Sequence, residues 1–251
     1  MAKIISIHSF RGGTGKSNTT ANLTALLARE GLRVWVVDTD IQSPGIHVLF
    51  NLDEAKMSPT LNDYLWGSCA IKDAAHDVTA NLGVPVSGKI LLIPSSIKAG
   101  EIAKVLREGY DVGLLNDGFQ DAIRDLNLDV LMIDTHPGLN EETLLSISIS
   151  DALVIIMRPD SQDYQGTAVT VEVARKLEVP RMYLVVNKVP AVYDSAVVKA
   201  KVEDAYHAQV AAVLSHSDEL MALASSGIFS LKYPDNPVTA GLKRLAATLM
   251  A

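Results

Sequence analysis

The sequence predicts an α/β fold in which a mostly parallel, twisted sheet carries helices on both faces. The first observation behind this prediction is that short runs, apolar at almost every position, recur along the chain. Continuous rather than alternating hydrophobicity is typical of strands that are covered on both faces. The second observation is that helical patterns separate most of these runs, which indicates successive βαβ units.

The elements follow one another in a regular order. Seven strands are predicted, at Lys3–His8, Arg33–Asp38, Lys89–Pro94, Asp129–Asp134, Ala152–Met157, Arg181–Asn187 and Gln209–Leu214. Eight helices are predicted, at Gly15–Glu30, Lys98–Glu108, Val112–Leu126, Glu141–Ser150, Gln162–Leu177, Ser195–Tyr206, Asp218–Ala224 and Val238–Leu249. Gly31 is placed to end the first helix. Residues 51–87 have the weakest pattern and indicate a loop-rich insertion with short helices.

Length and composition restrict the class of protein. The 251 residues are 48% hydrophobic and 20% charged, and 22 Lys and Arg against 29 Asp and Glu give a net charge of −7. This composition is far from that of disordered chains, and with no linker or repeat we expect residues 1–251 to form a single domain. No apolar run approaches the roughly 20 residues of a membrane-spanning helix, and the first residues are too short an apolar run for a secretory signal. Cys69 is the only cysteine, which excludes an intrachain disulfide and a cysteine-only metal cluster. We therefore expect a cytoplasmic protein.

A glycine-rich segment follows the first strand and leads directly into the first helix. It reads Ser-Phe-Arg-Gly-Gly-Thr-Gly-Lys-Ser over residues 9–17. Glycines allow successive backbone N–H groups to converge on an anion, and the helix that follows presents its positive end. Lys16 adds a point charge, and the Ser17 hydroxyl can bind Mg²⁺. The segment therefore predicts a phosphate-binding loop, although the first glycine of the general pattern is replaced by Phe10.

This loop resembles that of the deviant Walker A ATPases, the ParA/MinD group, whose loop reads K-G-G-x-G-K-[ST]. The resemblance spans most of the chain and implies a P-loop NTPase fold that binds ATP with Mg²⁺ and hydrolyses ATP slowly. It makes Lys16 a catalytic residue. It also implies that the whole loop binds the nucleotide, namely Arg11, Gly12, Gly13, Thr14, Gly15, Lys16, Ser17 and Asn18.

Arg11 stands where the family has a lysine that reaches the phosphates of the partner subunit in an ATP-bound dimer. Arginine keeps the charge, but its planar guanidinium makes the substitution non-conservative. Two alternatives remain open at this position. Either Arg11 makes the contact to the partner, or Arg11 lies on the rim and another basic residue, such as Arg158, crosses the interface.

Carboxylates follow two of the predicted strands. Asp38 and Asp40 end the second strand and Asp134 ends the fourth, at the edge of the sheet where ligands of open α/β folds bind. The resemblance to the ParA/MinD family implies that Asp40 positions the attacking water and that Asp38 contacts the hydration shell of Mg²⁺. The metal-site prediction is thus Ser17, Asp38 and Asp134. Strand-end acids that merely cap loops or helices are the structural alternative.

Two further polar residues follow strands. The Val-Asn-Lys segment at residues 186–188 resembles a family segment whose asparagine binds the adenine edge, which implies that role for Asn187. An amide has the donor and acceptor that adenine requires. His136 follows Asp134, but a loop histidine beside a proline is more often a packed or surface residue, so we do not assign it to catalysis.

The family resemblance implies a nucleotide-timed switch in which ATP forms a homodimer and an adaptor protein stimulates hydrolysis. The favoured interpretation is binding to non-specific DNA, with nucleoid association and the positioning or segregation of a plasmid, chromosome or organelle. A ParA-like segment at residues 60–67, followed by 71–74, supports it, and McdA-type positioning ATPases are among the similar proteins. The DNA-contacting candidates are Lys199, Lys201, Lys232, Lys243 and Arg244.

Two alternatives compete with DNA binding. A MinD-like protein would bind membranes through a C-terminal amphipathic helix, and residues 238–251 place Leu242, Leu245 and Leu249 at helical spacing. This segment has no bulky aromatic residue and only two cations, so core packing is the favoured use of the leucines. An ATP-dependent biosynthetic enzyme of the same fold is the second alternative.

Overall fold

The computed structural model describes residues 2–251. Its strands are β1 (Lys3–His8), β2 (Arg33–Asp38), β3 (His76–Asp77), β4 (Lys89–Ile93), β5 (Val130–Asp134), β6 (Ala152–Met157), β7 (Met182–Val189) and β8 (Gln209–Ser215). The longer helices are α1 (Lys16–Arg29), α4 (Ala99–Glu108), α5 (Gly113–Leu126), α6 (Glu141–Ser148), α7 (Ser161–Lys176), α8 (Ser195–Tyr206) and α11 (Pro237–Met250). Four short α-helices are α2 (Ile46–Leu49), α3 (Leu61–Leu65), α9 (Asp218–Leu223) and α10 (Phe229–Lys232), and 3₁₀ turns lie at Glu54–Lys56, Ile71–Ala74 and Thr79–Leu82.

All eight strands form one sheet, in the order β3-β4-β2-β5-β1-β6-β7-β8. Every pairing is parallel except that of β3 with β4, so the predicted mostly parallel sheet is confirmed. Strand β3 was not predicted, because its two residues lie inside the weakly patterned insertion and are too short to produce a periodic signal.

The strands are covered on both faces because neighbouring residues of each strand enter different cores. In β2, Val34 and Val36 pack on the side of α1 and α11, whereas Trp35 and Val37 pack on the opposite side. There the rings of Trp35 and of Phe119 in α5 are perpendicular, with their centroids 6.2 Å apart. A third cluster lies beneath α7 and α8. The continuous apolar runs of the sequence therefore reflect burial on two sides.

The strand order places a topological switch point at β1. From β1 the chain moves to β2 on one side, and from β5 it crosses β1 to reach β6 on the other side. Ligands of open α/β sheets bind outside the carboxyl ends of strands at such a point. The phosphate loop follows β1 directly, so the fold brings this loop to the position that the general rule favours.

Helix α11 uses its leucine stripe inside the protein. Leu242, Leu245 and Leu249 are at most 3% exposed and belong to the core beneath α1 and β8. The stripe is therefore not available as an apolar face, as the sequence analysis favours. Within residues 2–251, no helix combines the length and the apolar character needed to cross a bilayer.

Candidate functional site

The phosphate loop opens into a cleft with a volume of about 720 Å³. Gly13 and Gly15 have φ values of 75° and 102°. Residues with a side chain rarely adopt such values, whereas glycine adopts them without strain. Gly15 caps the amino-terminal end of α1, so the free N–H groups and the positive end of the helix dipole face this cleft. The cleft is lined by the phosphate loop and the start of α1, by the loops after β2 and β5, by the ends of β7 and β8, and by α9 with the residues around it. These residues are Gly12, Gly13, Gly15, Lys16, Ser17, Asn18, Asp40, Ser43, His136, Pro137, Asn187, Lys188, Ser215, His216, Ser217, Leu220, Met221, Ala224 and Ser225.

Lys16 is the buried cation of the cleft. Its side chain is largely buried, and this desolvation lowers the pKa of the ammonium, while Asp134, Asp40 and Asp38 oppose the shift. One cation thus faces three carboxylates. A triphosphate placed against the loop would add further negative charge, so Lys16 and the helix dipole supply the compensation that phosphate binding requires.

Asp38 and Asp134 are brought together by the register of β2 and β5, in which they are direct partners. Both carboxyl groups are buried, and burial together with the nearby acids raises the pKa of each. Asp38 accepts hydrogen bonds from the N–H groups of Asp40 at 3.1 Å and Gly45 at 3.2 Å. Such a crowded pair of acids favours a bound cation or a retained proton.

The donor set at Asp134 fits a magnesium ion. Thr20 donates a hydrogen bond to Asp134 Oδ1 at 3.0 Å, whereas Oδ2 is buried and has no hydrogen-bond partner among residues 2–251. The Ser17 hydroxyl lies beside it at the start of α1. The described residues contain no cluster of three or more His, Cys, Asp and Glu side chains that could hold a metal alone. Mg²⁺ would therefore take its remaining ligands from phosphate oxygens and water, as this ion commonly does.

Asp40 also lines the cleft, and its carboxylate accepts a hydrogen bond from Ser43 N–H at 3.1 Å. Burial raises its pKa, while His136 and Lys16 act in the opposite direction. His136 Nε2 is 3.9 Å from Asp40 Oδ1, and its Nδ1 is 2.6 Å from the Pro137 carbonyl oxygen. The structure therefore places His136 in the cleft beside Asp40, which the residue's position next to a proline did not indicate.

Arg11 is bound within its own chain. It donates a hydrogen bond to Gln162 and lies 3.6 Å from Asp163 and 3.9 Å from Asp160, all at the start of α7. Arg158 contacts the same buried Asp163, at 3.0 Å. Both basic residues considered for a contact to a partner subunit thus converge on one carboxylate. Both side chains remain partly exposed, at 39% for Arg11 and 30% for Arg158.

Asn187 and Lys188 hold the phosphate loop from the side of β7. Asn187 Nδ2 donates to the Thr14 carbonyl at 2.8 Å, and Lys188 Nζ donates to the Gly13 carbonyl at 2.9 Å. Sequence reasoning assigned no role to Lys188, although it directly follows Asn187. It also missed the segment between Ser215 and Ser225, which lines part of the cleft and carries no motif.

His8 lies beneath the loop as a buried, neutral group. Thr135 donates its hydroxyl hydrogen to the Ile7 carbonyl at 3.0 Å, so its oxygen accepts from His8 Nδ1 at 2.8 Å. His8 Nε2 has no partner among residues 2–251. Desolvation, with Lys16 and His136 nearby, lowers the pKa of His8 to about 3.

This shift predicts a pH-dependent stability. The unfolded chain binds a proton at His8 near pH 6.5 and the folded protein only near pH 3, so the contribution of the neutral ring is complete above pH 6.5 and is lost as the pH falls. We expect His8→Asn, whose amide can still donate to Thr135, to remove up to about 4 kcal/mol of the decrease in unfolding free energy between pH 6.5 and pH 3.5. Urea unfolding of both proteins across this range measures the difference. Parallel pH profiles for the two would contradict the prediction.

A second groove, of about 740 Å³, lies between the carboxyl-terminal halves of α1 and α11. Its lining is mainly aliphatic, and its charged residues are Arg29, Glu30 and Lys243. It contains neither a glycine-rich turn nor paired carboxylates. The cleft at the phosphate loop is therefore the candidate site.

Comparison with known families and proteins agrees with this fold. A family model described as an AAA domain matches residues 2–181. An uncharacterized ATP-binding protein of Methanocaldococcus jannaschii is 29% identical over 251 residues, which cover all of this chain and 88% of that protein. An iron–sulfur cluster carrier protein of Pyrococcus horikoshii is 28% identical over 73% of this chain, which spans only 60% of that protein.

Solved structures share the architecture over the whole chain. The septum site-determining protein MinD of Pyrococcus horikoshii, solved with Mg-ADP, superposes with a TM-score of 0.82 at 21% identity, over 99% of this chain and 96% of that one. Apo McdA of Cyanothece gives 0.79 at 18% identity over all of both chains. Cobyrinic acid a,c-diamide synthase of Mycobacterium smegmatis, solved with ADP and magnesium, gives 0.74 at 18% identity, over 100% of this chain and 94% of that one. At these identities the likeness shows the fold, and it confirms the ParA/MinD-type architecture that the loop resemblance implies.

Proposed function

Because this chain belongs to the AAA domain family, and its fold is that of MinD and McdA, we propose that it is an Mg²⁺-dependent ATPase that works as a switch. The observation that carries the proposal is the cleft in which Lys16 and the start of α1 face the paired acids Asp38 and Asp134. Positive charge opposite a magnesium-type donor set is the combination that a nucleoside triphosphate requires.

The residues of the cleft have different proposed roles in ATP hydrolysis. The amides of the phosphate loop and Lys16 bind and orient the phosphates. Ser17, Asp38 and Asp134 would hold Mg²⁺, directly or through water, and the ion when bound neutralises charge that develops on the phosphoryl oxygens. Asp40, which lines the cleft, is assigned to orienting the attacking water. Asn187 is proposed to contact the adenine edge, as the family resemblance implies.

We propose that the ATP-bound form is a homodimer that binds non-specific DNA. An adaptor protein then stimulates ATP hydrolysis and the release of the dimer from DNA. Nucleotide-dependent closure of a symmetric dimer converts a local phosphate contact into a change of the whole surface. A chain of the solved MinC:MinD cell division protein complex of Aquifex aeolicus superposes on this chain with a TM-score of 0.79 at 18% identity, which supports the proposal of an adaptor. In this proposal the protein is located in the cytoplasm, on the nucleoid, and its cargo is a plasmid, chromosome or organelle.

DNA is favoured over a membrane because α11 buries its leucine stripe. The exposed residues of this helix include Lys243, Arg244 and Ala247, which give it no continuous apolar face for lipid. The DNA-contacting candidates lie on α8, α10 and α11, and three of them have partners within the chain. Lys199 is 3.8 Å from Glu203, Lys201 lies over the Tyr164 ring, and Lys243 donates to the Pro234 carbonyl. Lys232 and Arg244 are therefore the first residues to test.

The test uses the Asp40→Ala variant, in which hydrolysis is expected to be blocked, loaded with ATP and Mg²⁺. We expect retention on random-sequence DNA that falls roughly tenfold or more between 50 and 200 mM salt, since each neutralised phosphate releases counterions. The double substitution Lys232→Ala and Arg244→Ala should weaken this binding, whereas Lys176→Ala, an exposed lysine on α7, should leave it unchanged.

Anionic liposomes provide the competing arm of the same experiment. Sedimentation with liposomes and no retention on DNA would replace the DNA assignment by membrane binding. Binding to neither would favour an ATP-dependent biosynthetic enzyme, for which the fold shared with cobyrinic acid a,c-diamide synthase is the supporting observation. Deletion of residues 238–251 is not a usable control, because it removes core leucines.

A further inference from the structure

The end of β7 is irregular at the place where it meets the phosphate loop. Lys188 has a φ of 56°, in the left-handed region that non-glycine residues rarely adopt, and the pairing with β8 shifts register between Val186 and Val189. In a regular strand consecutive side chains point to opposite faces. Here the consecutive side chains of Asn187 and Lys188 both reach the same loop. Such strained conformations occur preferentially at functional sites.

From these contacts we propose that Asn187 and Lys188 are positioning residues that set the orientation of two peptide groups in the phosphate loop. We call this pair the β7 clamp. The clamp holds the Gly13 and Thr14 carbonyls, which belong to the same peptide groups as the N–H of Thr14 and of Gly15. Because a trans peptide is planar, its C=O and N–H point in opposite directions. Drawing two successive carbonyls towards β7 therefore turns two successive N–H groups away from β7.

Those two N–H groups are free for a ligand. Among residues 2–251 neither the Thr14 nor the Gly15 N–H has an acceptor. Gly15 lines the cleft together with Lys16 and Ser17, and Thr14 is buried next to it. Adjacent N–H groups turned to one side form a concave anion site. The ligand class is thus a polyphosphate, and the clamp acts on its binding through the loop, separately from the proposed contact of Asn187 with the base.

The fit between clamp and loop is close. A Cβ at position 15 would lie 2.5 Å from Asn187 Nδ2, so the amide occupies space that only glycine leaves open. Asn187 Oδ1 in turn accepts a hydrogen bond from Lys188 N–H at 2.8 Å, which fixes the rotation of the amide and directs Nδ2 towards Thr14. The amide and the ammonium therefore work as one unit.

This inference rests on the proposed binding of ATP. An experiment distinguishes the effect of the β7 clamp from that of an adenine contact by Asn187. Isothermal titration with Mg-ATP and with inorganic tripolyphosphate, each in the presence of Mg²⁺, compares the wild type with Lys188→Met and Asn187→Ala. We expect both variants to weaken tripolyphosphate binding by a similar factor, roughly tenfold, and to weaken Mg-ATP binding by at least that factor. Lys188→Arg should recover part of the loss, and Lys176→Met is the matched control. In ATPase assays the KM for ATP should rise in both variants while kcat changes little, since the clamp affects binding before and during the reaction alike.

Other outcomes are decisive. A loss for ATP in Asn187→Ala with unchanged tripolyphosphate binding would make Asn187 a reader of the base and overturn the clamp, as would unchanged binding of both ligands in both variants. If Asn187→Ala does not fold, Asn187→Asp places a repelling carboxylate against the Thr14 carbonyl and is tested in its place. A wild-type protein that binds neither ligand would instead remove the proposed function.

Discussion

Replacing Lys16 with alanine is expected to lower the affinity for Mg-ATP by about 100-fold or more, which corresponds to ~3 kcal/mol of binding free energy. Lys16 is the buried cation opposite Asp38, Asp40 and Asp134. Its removal would delete the charge proposed to contact the phosphates and leave three acids without compensation, so the cleft would repel a triphosphate. Isothermal titration with a non-hydrolysable ATP analogue measures the loss.

The control for this variant is Lys176→Ala. That lysine is exposed on α7 and pairs only with Glu172, at 3.0 Å, so ATP affinity should equal that of the wild type. Thermal unfolding of the ligand-free Lys16→Ala protein shows whether it remains folded. Affinity within tenfold of the wild type in a folded Lys16→Ala variant would remove Lys16 from the phosphate site.

Replacing Asp40 with alanine is expected to leave ATP binding nearly intact and to reduce ATP hydrolysis roughly 100-fold or more. Asp40 lines the cleft, where its carboxylate accepts a hydrogen bond from Ser43 N–H and lies near His136. Because it would act on the water rather than on the phosphates, its loss affects turnover and not affinity. The ATP-bound dimer should then persist, and light scattering coupled to gel filtration would detect it.

Asp53→Ala serves as the matched control for the loss of a carboxylate. Asp53 is exposed and caps a 3₁₀ turn away from the cleft, so its removal should leave turnover unchanged. Normal hydrolysis by Asp40→Ala would exclude this carboxylate from the mechanism. If Asp40→Ala hydrolyses ATP poorly but is a monomer in its presence, Asp40 keeps its role in hydrolysis and the prediction of a trapped dimer is contradicted.

The phosphate loop could be predicted because all its parts are consecutive. Strand, glycines, Lys16, Ser17 and helix follow one another within residues 3–29, and local chain geometry alone places them together. The carboxylates after β2 and β5 could be predicted nearly as well, since parallel strands end at the same edge of a sheet. What the pattern did not contain is that Asp38 and Asp134 are direct register partners, which required the strand order.

Other parts of the site depended on contacts between segments distant in the sequence. Arg11 could be recognised as a departure from the family loop, but its binding to Gln162 and Asp163 joins residues about 150 positions apart. Lys188 was unassigned because its contact with Gly13 spans 175 positions and arises from an irregular strand end. His136 was judged from its neighbour Pro137, whereas its proximity to Asp40 comes from packing between two loops.

By itself, the sequence determined the alternation of strands and helices, the phosphate loop and the acids at strand ends. Each of these features depends on neighbouring residues or on the spacing of apolar residues along the chain. Only the tertiary structure decided which strands adjoin, which carboxylates share one space, and where Arg11, Asn187 and Lys188 direct their polar groups. The physical reason is that charge and hydrogen bonding act through distances of a few ångströms. Folding of the whole chain sets those distances between residues that lie far apart along it.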